Sequence, residues 1–196
     1  GKTAIVDALY FLQKVMVGAD LDQSLEDYMT IDSDTAEIFA DFNIFMDGIV
    51  FEIGYTLSLS REEKEIVINR EILRSAKNEN GIRTNKTIFM DYQRDQTDVI
   101  FKPQKRLDEI LEANKEIKTD LIVARKMAEK SNCSYIFGES SREIFCREYK
   151  NGFQQFSVII SSLFEFALKD LFVIRNTHSG VISANFVLPM AFRIEN

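Results

Sequence analysis

The stretch FEIGYTLSLS, residues 51–60, alternates strictly between apolar residues and polar or small ones. A period of two predicts a half-buried strand, and its apolar face consists of Phe51, Ile53, Tyr55, Leu57 and Leu59. Asp47-Gly48, typical of tight hairpin turns, separates it from a looser alternation over 38–46. A one-residue shift in register would expose the whole apolar face, so the pattern favours an antiparallel sheet with a firm register.

Further segments extend this sheet along the chain. Strands are predicted at 65–74, 87–92 and 99–102, and the second of these follows a turn at 77–81. The region 38–102 is therefore predicted to be an antiparallel meander of about five strands.

Helical periodicity flanks the sheet on both sides. A helix is predicted over residues 2–17, because Ile5, Leu9, Leu12 and Met16 recur at spacings of four, three and four, and this apolar stripe is expected to face a core. Gly18 stands where a glycine commonly ends a helix. After Pro103 the period returns to 3.6, with a new helix start predicted at Thr119-Asp120. The apolar face of this region consists of Leu107, Ile110, Leu111, Asn114, Ile117, Leu121, Ala124 and Ala128, with Ile122 alongside.

The last third of the chain mixes both periods. Residues 134–137 fit a strand or the end of a helical turn, and 153–171 predict a long apolar helix. Strands are expected at 172–176 and 181–192, on either side of a turn.

Charge and cysteine content narrow the function classes. The 196 residues carry a formal net charge of −7, which disfavours a chain whose main surface binds nucleic acid. Charged residues interrupt every apolar stretch before it reaches the length of a membrane span, and no secretory leader pattern is visible. Cys133 and Cys146 do not have a metal-ligand spacing, so we expect free thiols in a reducing cytoplasm.

Gly1, Lys2 and Thr3 match the last three positions of the phosphate-binding loop G-x-x-x-x-G-K-[ST] (Walker A), which opens a helix. Backbone N–H groups at a helix N-terminus and the helix dipole favour bound phosphate. In such a loop the lysine reaches the β and γ phosphates and the threonine hydroxyl binds Mg²⁺. The alternative is a surface helix start in which G-K-T occurs by chance.

The residues after this triplet resemble a known family. GKTAIVDALYFL is similar to the corresponding stretch of SMC-type ATPase heads, and in particular of the OLD-like AAA-type ATPases of bacterial defence systems. FEIGYTLSLS and EIVINREIL resemble that family's sheet hairpin, with the pattern I-x-x-E-x-L at Ile68–Leu73. LFVIRNTHSGVISANFVLPMAF resembles the strand, turn and strand that follow the family's helical insertion.

The resemblance implies an α+β fold, a fragment of a P-loop ABC-type ATPase head. It divides the chain into residues 1–102 (P-loop helix and antiparallel sheet), 103–172 (helical insertion) and 173–196 (return strands). It further implies ATP and Mg²⁺ as cofactors and a second head that forms a homodimer around ATP. A nuclease effector in antiphage defence is implied as a partner. Nucleic acid is implied as a partner only of a longer parent protein and is not evident in this chain.

Other parts of a complete head are not recognisable in the sequence. LKDLF and SSL do not match a Walker B strand or an ABC signature, so no catalytic residue is assigned. We therefore expect the N-terminal lobe of a longer ATPase, in which the isolated 196 residues do not hydrolyse ATP.

Several interpretations remain open. Glu71 either positions Mg²⁺ or water or only lines a strand edge, and His178, the one histidine, is most simply an exposed turn residue. The amphipathic region 104–130 either packs on its own core or contacts a dimer partner or arm. The competing function is a non-enzymatic α+β interaction domain.

Overall fold

The computed structural model describes residues 2–21, 33–63, 65–96, 108, 112, 116–147 and 154–171. The helices are α1 (Lys2–Met16), α2 (Glu116–Ser131), α3 (Glu139–Arg147) and α4 (Gln154–Glu165), and a π-helical turn, Phe166–Asp170, continues α4. The strands are β1 (Thr35–Met46), β2 (Ile49–Glu62), β3 (Glu65–Glu79), β4 (Ile82–Arg83) and β5 (Thr87–Gln93).

The strands form one antiparallel sheet in the order β1-β2-β3, and β3 pairs on its other side with both β4 and β5. The predicted α+β class with an antiparallel sheet is confirmed. β3 runs five residues beyond its predicted end at 74, so the predicted turn at 77–81 is shortened to Asn80-Gly81. The two-residue strand β4 was not predicted, and the strand predicted at 99–102 lies outside the described residues.

The apolar face predicted for β2 is confirmed, because each of its five residues is at most 4% exposed. Asp47 and Gly48 have φ of 50° and 78°, as expected of a type I′ hairpin turn. This face is covered by α2, α3, α4 and the C-terminal half of α1. The sheet and these helices share one hydrophobic core. The predicted apolar face of α2 takes part through Leu121, Ala124 and Ala128.

A bulge in β3 decides which of its residues face this core. Leu59 pairs with Ile68 and Ser58 with Arg70, so Asn69 is the extra residue. The inward positions therefore change from even numbers, ending at Ile68, to odd numbers, beginning at Glu71. The bulge thus turns a carboxylate into the core.

Two predictions in the helical region are wrong, and one helix was missed. Thr119-Asp120 lies inside α2 and does not start a helix, because the buried face continues through Ile117 and Leu121. Ile122 is 36% exposed and does not join that face. α3 was not predicted.

The remaining helical predictions have mixed outcomes. Residues 134–137 form a turn between α2 and α3, and the helix predicted at 153–171 is confirmed as α4 and its π-helical turn. The strands predicted at 172–176 and 181–192 lie outside the described residues, as does His178.

Gly18 ends α1 as predicted, in a Schellman motif. Its φ is 69°, its N–H donates to the Val15 carbonyl, and the Ala19 N–H donates to the Lys14 carbonyl, each at 3.0 Å. A Cβ at Gly18 would lie 2.6 Å from the carbonyl oxygen of Phe137. The position therefore requires glycine both for its backbone conformation and for its contact with the turn before α3.

We expect Gly18→Ala to lower the free energy of unfolding by about 3 kcal/mol, since strain at positive φ adds to a clash with backbone. Gly48→Ala is the matched control, because Gly48 also has positive φ but no atom within 4 Å of its added Cβ. That control should lose about 1 kcal/mol. Urea unfolding of both variants tests the difference, and equal losses would contradict the close contact with Phe137.

Candidate functional site

The structure places Lys2 and Thr3 in the first turn of α1, and Gly1 lies outside the described residues. No acidic residue occupies this first turn, so the helix N-terminus presents no negative side chain to an anion. The backbone position of Lys2 and Thr3 agrees with the predicted helix.

The C-terminal half of α1 fixes the helix to the molecule. Its buried residues are Phe11, Leu12, Val15 and Met16. Gln13 Nε2 donates to the carbonyl oxygens of Ala167, at 3.2 Å, and Leu171, which ties α1 to the end of α4. The N-terminal half instead exposes Ile5 by 65% and Leu9 by 39%, so the prediction that these two residues face the core is wrong. The fully buried residues of α1 therefore lie in the half of the helix away from the G-K-T end.

A second polar centre lies inside the core, around Glu71. β3 runs between β2 and β5, with Leu57 and Tyr92 as the register partners of Glu71, and the side chain is fully buried. The interpretation that Glu71 lines a strand edge is therefore wrong: the residue is in the middle of the sheet, and the bulge at Asn69 directs it inward.

Protein donors surround the Glu71 carboxylate. The Tyr55 hydroxyl and the Ser134 hydroxyl each donate to Oε1 at 2.6 Å, and the backbone N–H of Tyr135 donates to Oε2 at 2.8 Å. Ser134 Oγ also accepts from the Phe137 N–H at 2.8 Å. The carboxylate thus connects β2 and β3 with the turn between α2 and α3.

Burial raises the pKa of Glu71, while hydrogen bonds from Ser134, Tyr55 and the backbone of Tyr135 and Ile136 lower it in part, leaving it above the ordinary value of 4.5. Burial and the charge of Glu71 also raise the pKa of Tyr55 well above its ordinary value. No group of three or more His, Cys, Asp or Glu side chains suited to a metal occurs among the residues that the structure describes. The hydrogen bonds and burial of Glu71 therefore favour a structural role over the alternative of positioning Mg²⁺ or water.

Arg125, only 7% exposed, forms a second polar tie between α2 and the sheet. Its Nη2 donates to the carbonyls of Gln93 and the following residue at 2.6 and 2.7 Å, and its Nε donates to Glu129 at 2.9 Å. The guanidinium carbon lies 5.4 Å from the ring centroid of Tyr92, which stacks on Tyr135. The end of β5 is thereby capped by α2.

A cleft of about 140 Å³ lies between the end of α1, the end of α2 and the start of α3. Ser131, Cys133 and Ser140 line it, together with Asp20 and Glu139. Burial first, and then the charges of Asp20 and Glu71, raise the pKa of Cys133 to about 11. The thiol is therefore protonated near neutral pH and a poor nucleophile.

Comparison of the chain with protein-family models, curated proteins and solved structures gives no match. Among the described helices, none has the length and apolar character needed to cross a membrane.

Sequence reasoning identified Glu71 but missed its partners Ser134 and Tyr135. The available signal was an acidic residue in a predicted strand, which requires donors elsewhere in the chain if it is buried. Which donors they are depends on tertiary contacts, since Ser134 is 63 residues away. Arg125 gave no comparable signal, because a single arginine on an amphipathic helix is normally solvated.

We expect the stability advantage of the wild type over Glu71→Gln to shrink as pH rises from about 4.5. A carboxyl group whose pKa is raised in the folded state contributes most below its unfolded pKa and loses that contribution as pH rises through the folded pKa. Glutamine does not titrate, so urea unfolding of both proteins across this pH range isolates the effect.

Glu65→Gln, at the exposed start of the same strand, serves as the control for removing a surface charge. An advantage that grows with pH would show that the hydrogen bonds outweigh burial and would contradict the raised pKa.

Proposed function

We propose that the chain is the ATP-binding N-terminal lobe of an SMC/OLD-like ATPase, in which Gly1, Lys2 and Thr3 complete a phosphate-binding loop. One observation carries the proposal: Lys2 and Thr3 lie in the first turn of α1. A phosphate-binding loop requires this arrangement, because the first N–H groups of the helix must point at the phosphates.

Each residue of the triplet has a defined role in this proposal. Gly1 lets the backbone approach the phosphates closely. The Lys2 ammonium binds the β and γ phosphates, and the Thr3 hydroxyl is a ligand of Mg²⁺. The absence of acidic residues from the first turn of α1 supports the binding of a polyanion there.

The surroundings of α1 also fit a larger head. Ile5 and Leu9 offer exposed apolar side chains on the half of the helix that carries the triplet, where another layer of the head would pack. Through Gln13 and the buried C-terminal half, the helix is connected to the core and to the end of α4. ATP binding would then clamp two heads of a cytoplasmic homodimer and signal to an effector, such as a nuclease in antiphage defence.

The proposal is tested by calorimetric titration of Mg²⁺-ATP into the full-length protein that carries this chain. We expect Lys2→Ala to weaken binding by about 10- to 150-fold, the loss of a hydrogen bond to a charged group. Lys14→Ala is the matched control, because this substitution removes the same charge from the last turn of the same helix.

Equal affinity of wild type and Lys2→Ala would overturn the assignment of the triplet. An absence of ATP binding by the wild type would favour the non-enzymatic interaction domain.

A further inference from the structure

β1 is an edge strand whose outer edge pairs with no strand among the residues that the structure describes. It is twelve residues long, and its inward side chains are only half-buried, unlike those of β2. Its outward face exposes Phe39 by 70% and Phe45 by 78%. Long edge strands with exposed aromatic side chains readily pair with another strand.

The backbone groups available at this edge follow from the hairpin register. The Arg61 N–H donates to the Asp34 carbonyl at 2.8 Å, next to the pair Thr35–Ser60. Hydrogen-bonded and non-hydrogen-bonded pairs alternate in an antiparallel ladder, so the even-numbered residues of β1 bond to β2. The N–H and C=O groups of the odd-numbered residues, including Phe39 and Phe45, therefore point away from the sheet.

We propose that β1 is an interface for a second copy of this chain, in which the two β1 strands pair antiparallel about a twofold axis at Phe42. This register places Phe39 opposite the partner's Phe45 and Asp41 opposite the partner's Asn43. These pairs all fall on odd positions, whose backbone groups point away from β2, and the half-buried side chains of both strands remain on one face.

Side-chain complementarity selects this register and this occupant. Moving the axis to Asp41 would place two aspartates directly opposite each other, which is unfavourable, and would separate the aromatic pairs. A shift by one residue would turn one sheet over. With the axis at Phe42, the exposed aromatic residues of each copy meet those of the other.

An acidic residue on an edge strand normally discourages such pairing. Here Asp41 has a cation of its own, because Lys86 Nζ lies 2.5 Å from its Oδ1. The proposed partner residue is a neutral asparagine, so the register adds no like-charge contact at the centre. The pairing is separate from the ATP-dependent contact of the proposed function and requires no nucleotide.

The test is sedimentation velocity of the full-length protein without nucleotide, as a function of protein concentration. Asn43→Lys would place a lysine opposite Asp41 at two symmetric positions, and Asn43→Asp would place an aspartate there. From the energies of cross-strand charge pairs, we expect dimerisation to strengthen and weaken by roughly 2- to 30-fold, respectively. Thr35→Lys and Thr35→Asp make the same charge changes on the exposed face of β1 but outside the paired stretch, and should behave like the wild type.

A dimer affinity that decreases in the order Asn43→Lys, wild type, Asn43→Asp supports the proposal. Dimers that do not respond to residue 43, or that respond equally to residue 35, would overturn it. A monomer at every concentration, including for Asn43→Lys, would also overturn it and would point to a strand of the same polypeptide at this edge.

Discussion

The arrangement of sheet and helices depends on the hydrogen bonds that the buried carboxylate of Glu71 accepts. A charge in the dry interior is tolerated only where donors satisfy it. Tyr55 of β2 and the turn containing Ser134 and Tyr135 provide those donors. This turn joins α2 to α3. One buried side chain therefore fixes where the adjoining ends of both helices lie against the sheet. Arg125 makes a second tie at the end of β5, so α2 is fixed at two points.

How much of the fold the sequence could predict depended on how locally each element is specified. The hairpin of β1 and β2 has apolar alternation and an Asp47-Gly48 turn, and α1 has a regular apolar period and Gly18, so these elements were predicted correctly. The buried face of α1 was predicted only in part, because Ile5 and Leu9 of its apolar stripe are exposed. In β3, strict alternation from Ile68 would place Glu71 on the polar face. The bulge at Asn69 reverses this, and no local signal in the sequence marks it. At Thr119-Asp120, the local capping preference was outweighed by burial of the helix face.

The same difference between local and long-range signals applies to the candidate site. The G-K-T triplet could be proposed from the sequence because a phosphate-binding loop is a contiguous motif, and the position of Lys2 and Thr3 in the first turn of α1 is a local property. The centre at Glu71 unites residues that are far apart in sequence and could not be assembled from spacing. Both oxygens of its carboxylate accept hydrogen bonds from the protein, and this structural centre is distinct from the proposed nucleotide site.

Native-state hydrogen exchange of the Tyr135 amide tests the central claim most directly, because this N–H donates to Glu71 Oε2. In the wild type we predict protection as strong as that of core amides of β3 such as Leu73, since exchange requires the sheet and the turn to separate. In Glu71→Gln, exchange at Tyr135 should accelerate more than exchange at Leu73. If Tyr135 exchanges rapidly in the wild type, or if its protection is unchanged in Glu71→Gln, the carboxylate does not hold the helices to the sheet.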